Sequence, residues 1–125
     1  MQVDLTNLDL DLTLLNEIAD GSDEFIVESI GMFLDQAPGT LQDISNGLEK
    51  SDWQTAGGAA HKLKATLGFF GMLNSQALLA QIESSCKTGS HDVEELTAKL
   101  EQANILITAS SAALSKIKEE AAANL

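Results

Sequence analysis

Ala59-Ala60-His61-Lys62-Leu63-Lys64-Ala65-Thr66-Leu67-Gly68-Phe69-Phe70-Gly71-Met72 is the stretch from which the rest of the chain can be read. Placed on a helix at about 100° per residue, Ala56, Leu63, Leu67 and Phe70 share one face, and Gly57, Gly58, Lys64, Ala65 and Gly68 gather round His61 on the other. The apolar face turns to a core and leaves the imidazole toward water. Glycine costs about 1 kcal/mol against alanine inside a helix, so glycines round one exposed ring need a reason. Clearing space beside a reactive nitrogen is such a reason. Lys64, one turn along, places an ammonium within reach of an anionic group carried by that ring.

Working outward, Asp52 is placed to cap this helix, which runs through His61 to about Phe70, and Gly71 stops it. Downstream, residues 75–87 carry Leu78, Leu79 and Ile82 at helical steps, and Thr88-Gly89-Ser90 makes a turn. The last helix starts near Asp92 with Val93, Leu96, Leu100, Ile107, Leu114 and Ile117 as its apolar positions. Asp92, Glu94 and Glu95 suit its positive end, and Lys116 and Lys118 its negative end. Upstream, Ser22 or Asp23 caps a helix with the stripe Phe25, Ile26, Ile30, Phe33 and Leu34; after Pro38 the spacing resumes with Leu41, Ile44 and Leu48. Proline removes a backbone donor, so the helix kinks at Pro38 or breaks and restarts. The first ten residues alternate polar and apolar, with acidic side chains read as solubilising. Leu8, Leu12, Leu15 and Ile18 then mark a short amphipathic helix ending at Asp20-Gly21. The pattern predicts one all-α domain over residues 1–125, an antiparallel up-and-down four-helix bundle with a short additional N-terminal helix.

Charge narrows the function. A net charge of −12 with seven lysines and no arginine argues against nucleic acid or anionic membrane as a partner, since both reward clustered basic residues. The amino terminus lacks a basic region followed by an apolar run, and about 18 consecutive apolar residues occur nowhere, so a cytoplasmic protein is expected. Cys86 is the single cysteine; it forms no internal disulfide and reads as a buried helical thiol. A Cys–His nucleophile pair would need it beside His61 or His91. His91, in Gly-Ser-His91-Asp, has no lysine at helical spacing and reads as ordinary helix-start surface. Glycine-rich phosphate loops and paired histidines at metal spacing are missing, so no ATP site and no metal or other cofactor site is expected in this chain.

An exposed imidazole beside an ammonium has one chemistry in hand. Near neutral pH a ring nitrogen keeps a lone pair that attacks phosphorus, and a nearby lysine stabilises the charged phosphoryl group. Phosphoryl transfer is mostly positioning and electrostatics, so a carrier needs little machinery if its partner brings the rest.

Ala60, His61, Leu63, Lys64 and Gly71 resemble the signature of histidine-containing phosphotransfer (HPt) domains, Ala-His-x-Leu-Lys-Gly-Ser followed by a further Gly. Ala65 and Thr66 stand where Gly and Ser are usual. The resemblance spans roughly residues 20–90. It implies that His61 is the phosphoacceptor, that Lys64 stabilises the phosphoryl group, and that Glu83 orients the imidazole. It implies Gly68 as room for an incoming partner and a phosphocarrier role between receiver domains, Asp to His to Asp, without enzyme activity of its own. The implied partners are response-regulator receiver domains carrying an acceptor Asp and magnesium, with a hybrid sensor histidine kinase upstream; a monomer is expected. Lys62 would add positive charge at the contact. Phe69 and Met72 lie at the edge of the histidine face, where they either form an apolar docking patch or fill the core. Two alternatives stay open: an adaptor that has lost phosphorylation, and the phosphoacceptor domain of a chemotaxis-type kinase.

Overall fold

The computed structural model describes residues 8–89 and 92–125. Five helices follow one another: α1 (Thr13–Ala19), α2 (Asp23–Glu49), α3 (Trp53–Phe69), α4 (Leu73–Thr88) and α5 (Val93–Ala122). The four long ones close a ring in which α2 packs on α3 and α5, and α4 on α3 and α5, while α1 leans on α2. Short connections force neighbours to run antiparallel, the expected bundle. Leu15, Ile30, Phe33, Ile44, Leu48, Leu63, Leu67, Phe70, Leu79, Ile82, Leu96 and Leu114 fill its core. No helix among the described residues is long and apolar enough to cross a membrane.

Boundaries follow local chemistry. Ser22 accepts from the Phe25 N–H, Asp52 from Thr55 and Asp92 from Glu95, so each of α2, α3 and α5 starts on a side-chain cap. Hydrogen bonds from the Thr55 hydroxyl and N–H hold the Asp52 carboxyl below its usual range. Pro38 neither breaks α2 nor ends it: the helix runs through, with the proline on an exposed face. Gly71 ends the α3–α4 turn at φ +66°, the left-handed region, and an added Cβ would collide with the Asp11 backbone.

Three sequence expectations need correction. Ile18 and Val93, placed in apolar stripes, are exposed, because α1 buries only Leu15 and Ala19 and α5 starts its packing at Leu96. The amino-terminal acids do more than solubilise. The Asp9 carboxylate is buried and accepts the Asn74 and Ser75 N–H groups at 2.9 and 2.8 Å and the Ser75 hydroxyl at 2.6 Å. It thus caps α4 from far away in sequence, where Met72 offers no side-chain bond. The same strap bonds α5 through Ser110 to the Asp9 carbonyl and the α3–α4 turn through the Asp11 N–H to the Phe70 carbonyl. Residues 1–7 and Ser90 and His91, with the readings made for them, lie outside the described residues.

Candidate functional site

His61 stands midway along α3 with 65% of its side chain exposed, while Ala60 and Leu63 on either side of it turn into the core. Its Nδ1 lies 2.8 Å from Oε2 of Glu83 on α4. Glu83 is the opposite case, a carboxylate with 7% of its side chain exposed. Lys64 Nζ donates to its Oε1 at 2.7 Å, and Lys87 Nζ lies 2.8 Å from its Oε2. One buried carboxylate therefore gathers three donors from two helices. The Lys64 hydrogen bond, then that of Lys87, outweigh burial and, with a smaller share from His61, lower the Glu83 carboxyl to about 2.

That charge fixes the imidazole tautomer. An ionised carboxylate only accepts, so the facing Nδ1 must carry the proton, which assigns the lone pair to Nε2 on the open side of the ring. The ring is thereby oriented with a nucleophilic nitrogen toward solvent.

The small residues round His61 divide into two sets. A Cβ on Gly57 would lie 3.0 Å from the Cβ of Cys86, and one on Gly68 would lie 2.6 Å from Gln76 Nε2, whose amide donates to the Lys64 carbonyl. These two glycines let α4 approach α3, which brings Glu83 within hydrogen-bonding range of the ring. Gly58 faces open space and, with exposed Ala65, leaves the other flank of His61 clear. Gly68 thus makes room first for Gln76.

Lys62 is exposed, and Phe69 is half-buried with its ring edge-on to Phe70 at 5.1 Å. Both border a hollow of about 280 Å³ between α2 and α3, to which Met32, itself 60% exposed, adds an apolar rim. Met72 is corrected: it is fully buried, because the Gly71 turn sends it inward at the start of α4, and it belongs to the core rather than to a docking patch.

Sequence reasoning missed Lys87, Trp53 and Met32. Lys87 stands four residues after Glu83, the spacing of a helical ion pair, and this signal was available. Trp53 lines a second hollow of about 520 Å³ beside His61, between α3 and α4, together with Gly58, Glu83, Cys86 and Lys87. Cys86 does lie in the histidine's hollow, but burial pushes its thiol up, away from the thiolate a nucleophile needs.

Residues 28–123 match the Hpt domain family. The chain is also similar to a solved structure of the HPT domain from an Hpt sensor hybrid histidine kinase of Shewanella: 25% of residues are identical, 94% of this chain and 93% of that chain are covered, and the TM-score is 0.61. A search of curated proteins gave no match.

Proposed function

This chain belongs to the Hpt domain family, and from that premise we propose that it is a histidine phosphocarrier, its residues 1–125 forming one domain that passes a phosphoryl group between receiver domains, Asp to His to Asp. The observation that carries the reading is the exposed His61 with Nδ1 held by the buried Glu83 carboxylate. The Nε2 lone pair attacks the phosphorus of an aspartyl phosphate on the receiver. The bond from phosphorus to the aspartyl oxygen breaks and its electron pair leaves with the carboxylate. Nδ1 keeps its proton, so the ring gains a positive charge that faces Glu83, and the reverse step reloads a second receiver.

Lys64 serves this chemistry twice on our reading. It holds Glu83 in the resting site, and with 30% of its side chain exposed it retains a path to the phosphoryl oxygens. Lys62, Phe69 and Met32 border the groove where the receiver docks, its magnesium-bearing acidic pocket approaching Lys62 and Lys64. Three of the seven lysines, 62, 64 and 87, stand around the histidine of an otherwise acidic chain, which favours that approach and disfavours others. No ATP site is needed, and a monomer in the cytoplasm meets every requirement of the exchange.

The test is incubation of the purified chain with a panel of phosphorylated receivers from its own genome, followed by mapping of the labelled residue. Acid-labile label on His61, transferable to a second receiver, is expected. Label elsewhere, or none from any receiver, would sink the proposal.

A further inference from the structure

We infer that Lys87 is a mobile counter-ion of this site, moving from Glu83 to the phosphoryl group as the Nε2–phosphorus bond forms. The inference rests on the phosphocarrier reading. Its ground is the sharing of one oxygen: Lys87 Nζ and His61 Nδ1 each lie 2.8 Å from Glu83 Oε2. The ammonium is therefore at most two hydrogen bonds from the ring, nearer to the reacting nitrogen than its sequence distance suggests.

The two lysines on Glu83 are not equivalent. Lys64 comes from the middle of α3, takes Oε1 for itself and keeps 30% of its side chain exposed. Lys87 sits in the last turn of α4 with 67% of its side chain exposed, and its stem borders the open hollow that also holds Trp53, Gly58 and His61. It has both freedom and space to move.

Charge balance supplies the direction. At rest one carboxylate faces two ammonium ions and the His61 ring, so one of the two ammonium charges is not offset by Glu83. As phosphorus bonds to Nε2, its bond to the donor's leaving atom breaks. The ring becomes cationic and three phosphoryl oxygens bring two negative charges beside it. A lysine that leaves Oε2 then gains a stronger partner, and the carboxylate it uncovers is freed to stabilise the ring. Both changes favour the phosphorylated state.

The experiment uses phosphoramidate, a small donor that needs no protein partner, with the native chain and its Lys87→Met and Lys87→Arg variants. Label on His61 and the half-life of the phosphohistidine are followed, and unfolding curves confirm the fold. Lys87→Met is expected to label about tenfold more slowly and to lose its label sooner, since charge-assisted hydrogen bonds are of that strength; Lys87→Arg restores both. Native rate and half-life in Lys87→Met would overturn the inference alone, as would an arginine variant as slow as the methionine one. An unlabelled native chain would overturn the phosphocarrier reading and this inference with it.

Discussion

Helix α4 holds a buried carboxylate at each end, and the two are satisfied in opposite ways. Asp9, at the amino end, accepts two backbone N–H groups and a serine hydroxyl. These donors are neutral and fixed in place. Glu83, toward the other end, accepts from a histidine and two lysines on flexible stems, and each of these donors can be charged, discharged or moved. A carboxylate held by the backbone is a fastening; one held by side chains that can leave is an adjustable site. Burial alone separates neither from the other, so the kind of donor carries the functional signal.

Changes at the Glu83 end should cost transfer and spare the fold. The largest expected effect is His61→Gln, which removes all acid-labile label, because the chain's other histidine, His91, has no lysine at helical spacing to hold a phosphoryl group. The ring is exposed, so its unfolding free energy should stay within about 0.5 kcal/mol of native. Label surviving in that variant would transfer the site elsewhere and dissolve the contrast.

Changes at the Asp9 end should do the reverse. Asp9→Ala strands the Asn74 and Ser75 N–H groups and the Ser75 hydroxyl, and unties the strap from the start of α4. The Ser75 N–H and hydroxyl are buried and out of reach of water, so a loss of roughly 3 kcal/mol in denaturant unfolding is expected. Label on His61 should persist at temperatures where the variant is folded, since the strap meets α4 at Asn74 and Ser75, about half the helix away from Glu83. A variant that is folded but cannot be labelled would mean that the two ends of α4 are coupled.

The contrast also marks what could be read from the chain alone. The helix order, the cap at Asp52 and the outward face of His61 follow from spacing and turn chemistry, which are local; Ser22 over Asp23 and the cap at Asp92 came with the structure. Glu83 came by resemblance, and its burial beside His61 is a property of the α3–α4 approach that Gly57 and Gly68 permit. Asp9 escaped because its partners lie at positions 74 and 75, and no periodicity links a strap to a distant helix start. Met72 was placed by extending the wheel past Gly71, where the left-handed turn had already ended the helix. Local rules hold within an element and stop at its cap.

Acid sharpens the comparison further. Glu83 is lowered from 4.5 to about 2 in the folded chain. As pH falls, the unfolded chain takes up its proton first, while the folded site resists until its lysines lose the carboxylate. The stability supplied by the cluster is therefore complete above about pH 4.5 and is lost between there and about pH 2. Glu83→Gln cannot take up that proton. The gap between native and variant unfolding free energies should therefore close by roughly 2 kcal/mol as the pH is lowered through this window. A gap that stays constant would mean that Lys64 and Lys87 do not rest on Glu83 in solution. The adjustable carboxylate would then be no more than a buried one, and the distinction between the two ends of α4 would rest on His61 alone.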